Sequence, residues 1–231
     1  MLNIHIGFDP REEVAYQVLA YSIRRRASVP VTISPIKRRD LKDLYTRARG
    51  PTESTDFSLT RFLVPRLCGF RGWSVYMDCD MLCRTDIAGL EDEMERHADK
   101  VLLVAQHDYT PVSTLKMKGM ESPQGKAQTV YPRKNWSSLM IFNNERCAAL
   151  TPEYVNSASG LALHRFQWTA DESIGGLPLE WNWLVTEYPH NPAAKIVHYT
   201  LGGPWFDAYR NCDYASEWFA ELESMRSAGS R

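Results

Sequence analysis

Asp78 and Asp80 stand one residue apart at the end of the apolar run Trp73-Ser74-Val75-Tyr76-Met77. In an extended chain, residues i and i+2 point to the same side. A strand running this far would let both carboxylates converge on one hard cation. Buried aspartates are rare without a counter-charge, and a divalent ion shared with substrate phosphates supplies one. Asp9 follows an earlier apolar run, residues 2–8, and brings a third carboxylate to a strand end. Open α/β sheets bind ligands outside the carboxyl ends of their strands, so the three acids point to a nucleotide-and-metal site.

The elements that must hold these acids can be read from apolar spacing and capping residues. Residues 2–8 form a strand; Asp9 and Pro10 then open a helix running to about Arg26, and residues 30–36 form a second strand. Residues 58–67 read as helical with Pro65 bending or dividing the helix, 74–77 as the aspartate-bearing strand, 86–97 as a helix and 101–105 as a buried strand. Arg49-Gly50-Pro51 breaks the chain before the first of these. Residues 106–133 hold Pro111, Gly119, Pro123, Gly125 and Pro132 and read as a long functional loop or insertion. A strand at 139–142, short helices at 145–150 and 153–157 and a last helix at 214–225 complete the reading. Strand, helix, strand at the start predicts an open, mostly parallel Rossmann-like α/β sheet with an irregular C-terminal part. No linker divides the chain, so residues 1–231 are taken as one domain: a nucleotide-binding half (1–105), an acceptor-side half (106–226) and a frayed tail (227–231).

Composition excludes several classes. The 231 residues are 44% hydrophobic and 24% charged with a formal net charge of -1, which gives no general attraction for nucleic acid. Arg24-Arg25-Arg26 and Lys37-Arg38-Arg39 read as solvated surface. Five irregularly spaced cysteines read as reduced, buried thiols of a cytoplasmic protein, not as a zinc site. No secretory leader and no membrane-spanning stretch is expected. The first strand lacks a G-x-G-x-x-G turn and no G-x-x-x-x-G-K-[ST] loop is present, which removes dinucleotide oxidoreduction and P-loop hydrolysis.

Five segments, in order, resemble glycosyltransferase family 8, the group of glycogenin and the bacterial lipopolysaccharide galactosyl- and glucosyltransferases. They are residues 2–23; Phe57-Ser58-Leu59-Thr60-Arg61-Phe62-Leu63-Val64-Pro65; Val75-Tyr76-Met77-Asp78-Cys79-Asp80; Asp171-Glu172-Ser173-Ile174 with Leu177-Pro178 and Trp181-Asn182; and His198-Tyr199 with Gly202-Gly203-Pro204-Trp205. The resemblance implies the A-type glycosyltransferase fold and retaining transfer of a hexose from a nucleotide-diphosphate sugar, usually uridine-linked, to a saccharide or glycolipid acceptor. It implies manganese, with magnesium as the alternative ion, held by Asp78, Asp80 and His198. Arg61 would neutralise phosphate or anchor the metal motif, Phe8 and Asp9 would lie against the base with Asp78 near the ribose, and Asp171 would orient sugar or acceptor. The family's polysaccharide role implies a location at the inner face of the cytoplasmic membrane. Two departures stand out. The family's Lys before Pro-Trp is replaced by Gly203, leaving Lys195 or the Gly202 and Gly203 amides to meet phosphate, and Asn135-Trp136-Ser137-Ser138 replaces the family's Asn-Ser-Gly.

Two other readings use the same residues. An Asp-x-Asp strand end also marks haloacid dehalogenase-like phosphohydrolases, where the first Asp is the nucleophile. The missing Lys would suit a catalytically silent nucleotide-sugar-binding protein.

Overall fold

A computed structural model describes residues 1–50, 53–120, 122–128 and 130–229; Pro51 therefore lies outside the described residues. Strand β1 (Leu2–Gly7) turns Leu2, Ile4 and Ile6 inward. Asp9 then caps a short turn, its carboxylate accepting from the Arg11 amide, with Pro10 placed where no amide is needed. Helix α1 (Glu13–Arg26) returns the chain to β2 (Val31–Ile36), which pairs parallel with β1.

The helical stretch expected over residues 58–67 is divided: a 3-10 turn, Thr60–Leu63, leads directly into α2 (Val64–Leu67). Pro65 lies in the first turn of α2, where its missing N–H costs nothing, so it starts a helix and does not kink one. Strand β3 (Trp73–Met77) and the short β4 (Met81–Cys83) flank the aspartate pair. Helix α3 (Gly89–Arg96) begins later than Asp86, whose carboxylate accepts from the Ala88 amide. Then come β5 (Leu102–Ala105), a small hairpin of β6 (Leu115–Lys116) and β7 (Lys126–Ala127), and β8 (Leu139–Asn143). Helices α4 (Pro152–Ser157) and α5 (Gly160–His164) precede β9 (Ile174–Leu177), β10 (Trp183–Leu184), β11 (Ile196–His198) and α6 (Ala215–Ala228).

The main sheet has six strands in the order β2-β1-β3-β8-β5-β9. Strand β8 runs antiparallel to both its neighbours, β3 and β5, and every other pairing is parallel. Strands from both sides of residue 105 thus interleave in one sheet. Valine, tyrosine and methionine at 75–77 and leucine to phenylalanine at 139–142 are completely buried. Each such aliphatic side chain stabilises the sheet by roughly 1.5–3 kcal/mol.

A second sheet of three strands, β10-β11-β4, was not expected from the sequence. Its antiparallel pairing of β4 with β11 sets Met81 opposite His198, immediately after Asp80. Behind it α6 docks on α1, with Val18, Leu82, Tyr199 and Trp218 in a small core of their own. Glu221 of α6 is buried and binds Arg25 and Arg26, so the basic run lies at the surface as expected but with two of its arginines also tying α1 to α6. Helix α6 also carries Ser227 and Ala228 of the expected frayed tail, while Ser230 and Arg231 lie outside the described residues. No described helix is long and apolar enough to cross a membrane.

Candidate metal and nucleotide site

Strand β3 stops at Met77, and the chain bends through Cys79 and Asp80 before β4 begins. The two aspartates therefore converge through a bend and not through strand alternation. The bend is held from both sides: the Asp78 amide donates to Ser138 O (2.8 Å) and the Tyr199 amide donates to Asp80 O (2.9 Å). Asp78, Asp80 and His198 each offer a ligand atom, and the three atoms lie within 4.8 Å of one another.

Asp78 is anchored on one oxygen. Its Oδ1 accepts from Tyr76 Oη (2.8 Å) and pairs with Arg61 Nη1 (2.8 Å). The guanidinium is fixed in turn by Ser137 O (2.7 Å) and Phe57 O (3.3 Å), between the rings of Phe57 and Tyr76. Gly7 makes this possible, because a Cβ there would sit 2.5 Å from Phe57 Cγ and 2.6 Å from the Tyr76 hydroxyl. Burial pushes the Asp78 carboxyl up, and the Arg61 guanidinium beside it pulls it back down.

Asp80 is 5% exposed, and its Oδ1 has no hydrogen-bond donor among the described residues. The atom that faces it is His198 Nε2, at 3.3 Å. A chain of hydrogen bonds fixes the other ring nitrogen as a donor. The Ser138 hydroxyl donates to Asn135 O (2.7 Å), so its oxygen accepts from Asn182 Nδ2 (2.9 Å). Asn182 Oδ1 is thereby turned to His198 Nδ1 (3.1 Å) and takes its proton. With Nδ1 as the donor, Nε2 faces the carboxylate oxygen of Asp80 either with a proton of its own, as an ion pair, or with a lone pair that shares a cation with it. Two hard carboxylates with one imidazole suit manganese or magnesium as that cation. Behind them Glu12 is completely buried. Burial first, and then Asp80 and Asp9, push its carboxyl well above the ordinary range.

Asn182 acts on the site only through His198, as partners behind metal ligands do. Asn182→Ala is expected to weaken manganese binding about ten- to a hundredfold in calorimetry. An unchanged Kd would remove Asn182 from this role.

The trio opens onto a cavity of about 420 Å³ whose wall includes Arg61, Lys116, Lys134 and the hydrogen-bonded pair Ser137 and His164. Burial holds the His164 ring well below its ordinary pKa, so it is a neutral partner for the serine hydroxyl. Other residues singled out in the sequence are elsewhere. Asp9 is consumed by Arg11 and the Asp56 amide, and Phe8 packs against Tyr16 under Lys37; neither lines the cavity. The Gly202 amide donates to Tyr199 O (2.9 Å), so it is not free for phosphate. At φ +133° Gly202 adopts backbone that favours glycine, and a Cβ would meet the Tyr209 ring; Gly203 lies as tightly against Trp205. Lys195 lies over the Trp181 ring at 4.4 Å. Asp171 is 78% exposed, pairs with Arg133 at 2.6 Å and borders a separate pocket with Arg165 and Gln167. Tyr76, Ser138 and Asn182 stand in segments compared above with the family's but carry no role of their own there, and Lys116 stands in none of them.

No family model matches the chain. Protein CDI of Arabidopsis thaliana is 48% identical over an alignment of 231 residues, covering 96% of this chain and 86% of that protein. Among solved structures, the WbbM bifunctional glycosyltransferase superposes with a TM-score of 0.64 at 14% identity, covering 96% of this chain and 49% of that one. This chain thus spans about half the length of WbbM. The galactosyltransferase LgtC, in complex with donor and acceptor sugar analogues, gives 0.58 at 12% identity with 96% of both chains covered. Mouse xyloside xylosyltransferase 1 gives 0.54 at 13% identity, over 85% of this chain and 97% of that one. These likenesses establish the glycosyltransferase A-type fold.

Proposed function

This chain belongs to the family of Protein CDI from Arabidopsis thaliana, and we propose that it is a metal-dependent, retaining hexosyltransferase of the family 8 type. It moves a sugar from a nucleotide-diphosphate donor, uridine-linked, to a saccharide or glycolipid acceptor, and residues 1–231 work as one catalytic unit. The observation that carries this reading is Asp80 Oδ1, which has no hydrogen-bond donor among the described residues, facing His198 Nε2 beside Asp78 in a cavity that two lysines and Arg61 also line.

Asp80 and His198 would hold the ion directly, and Asp78 would use its second oxygen while Oδ1 stays on Arg61 and Tyr76. When bound, the ion supplies Lewis-acid stabilisation of the charge on the leaving diphosphate. Arg61 keeps Asp78 ionised and aimed, and its flat guanidinium between two rings prevents that carboxylate from swinging away. Ser137, with its hydroxyl held by His164, faces the sugar. Asp171 and Arg133 serve the acceptor from their own pocket. The phosphohydrolase alternative would use the same second oxygen of Asp78 as the nucleophile, so cleavage of a generic phosphate ester that Asp78→Asn abolishes would favour it.

With manganese present, the matching uridine-diphosphate sugar at about a hundred times its Kd should stabilise the fold by about 2.7 kcal/mol over manganese alone. For a chain of this size that raises Tm by roughly 5–10 °C in a thermal-shift screen. No shift with any nucleotide sugar would overturn the proposal. Binding with no donor hydrolysis for any sugar would favour the silent binder.

A further inference from the structure

Lys116 is the cavity's unexplained cation. It lines the same cavity as Asp78, Asp80 and His198, yet among the described residues its ammonium makes no hydrogen bond and no ion pair. It nevertheless lies within reach of their charge: burial depresses its pKa, while Asp80 and Asp78 push it back up. A half-buried ammonium that senses two carboxylates without touching them leaves a gap between cation and anions.

The backbone around it is fixed with unusual care for a loop. Lys116 ends β6 and pairs with Lys126 of β7. The next residue, Met117, is buried, has φ +55° and donates its amide to Leu201 O at 2.5 Å. The Lys118 amide donates to the Tyr209 hydroxyl at 3.2 Å, and Lys126 Nζ reaches Glu53 O at 2.8 Å. The hairpin is thus tied to the segment after His198 on one side and to the cavity wall at Glu53 on the other. That same segment carries Gly203 where no cationic side chain can stand, and Lys195 is committed to Trp181.

We propose that Lys116, delivered by the β6–β7 hairpin, is the residue that binds the diphosphate of the nucleotide donor, completing the charge balance that Asp78, Asp80 and His198 begin. The inference rests on the donor-site reading above. A diphosphate held there brings two to three negative charges, more than a divalent ion offsets beside two aspartates. An ammonium without a hydrogen-bond or ion-pair partner among the described residues is available to take the remainder.

The test is calorimetry with manganese and either uridine diphosphate or uridine, on the parent, Lys116→Met and Lys116→Arg. Lys116→Met should weaken uridine diphosphate by about ten- to a hundredfold, leave uridine unchanged, and be largely rescued by Lys116→Arg. Equal affinity of parent and Lys116→Met for uridine diphosphate would overturn the inference while leaving the donor site standing. Parallel loss of uridine and uridine diphosphate would also overturn it, because that marks a structural role. If the parent itself binds no uridine diphosphate, the donor-site reading fails and this inference fails with it. Should Lys116→Met not fold, Lys116→Gln, which keeps a polar tip on a similar stem, gives the same comparison.

Discussion

Asp80→Asn is expected to leave the ligand-free protein at least as stable as the parent while abolishing its response to manganese and a uridine-diphosphate sugar. The carboxylate is 5% exposed, one of its oxygens has no donor among the described residues, and it raises the pKa of both Asp78 and Glu12. An amide of the same shape removes that repulsion and can donate to Nε2 of a neutral His198 ring. Relief of even 1 kcal/mol raises Tm by about 2–4 °C in a chain of this size. Loss of an ionic ligand should weaken metal-dependent nucleotide binding by more than about a hundredfold, counting several kcal/mol for one charged contact at about 1.4 kcal/mol per decade. Asp80→Ala should do the same, and Asp171→Ala, far out on the surface, should cost much less. A lower Tm for the free variant together with a preserved manganese response would refute the assignment.

Arg61→Met should show the opposite balance. Arg61 is 5% exposed and its guanidinium compensates Asp78 inside the protein. Breaking a buried pair by removing one partner costs about 3–5 kcal/mol because the other charge is left behind. For this chain that is a Tm loss of roughly 6–20 °C. The double variant Arg61→Met, Asp78→Asn should recover much of it, since no buried charge is then unpaired. A double-mutant cycle read by chemical denaturation would show this coupling directly. If the two single effects simply add, the pair is not the anchor described above.

The parts legible in the sequence are those with long apolar periodicity or a strong cap. Strand β1, the Asp9–Pro10 start, helix α1 and strand β3 fall within a residue or two of expectation, and Asp78, Asp80 and His198, expected as metal ligands, are brought together. Short strands were hidden. β4 and β11 have three residues each, too few for alternation to register, and β9 reads Ile-Gly-Gly-Leu, which resembles a turn. Gly175 is there because a Cβ would strike Leu103 of the neighbouring strand, a packing demand that no local pattern announces. Asn182 and His198 are 16 residues apart and meet only through the β10–β11 pairing. Tyr76 could have been noticed: it stands two residues before Asp78, the spacing that shares a strand face. Lys116 offered no signal, since its hairpin lies in a region whose Gly and Pro content suggested only a loop.

The position of β8 has a consequence for biosynthesis. A nascent chain leaves the ribosome N-terminus first, and β1, β2 and β3 can assemble before the central strand exists. Between Met77 and Leu139 the growing sheet has an open edge at β3, for roughly 3–12 s at 5–20 residues per second. During that interval apolar β3 displays unpaired amides and carbonyls, the condition in which partially made proteins stick to one another. Chaperone dependence in the cell should therefore concentrate on translation of this interval, and slowing synthesis there should lower the soluble yield.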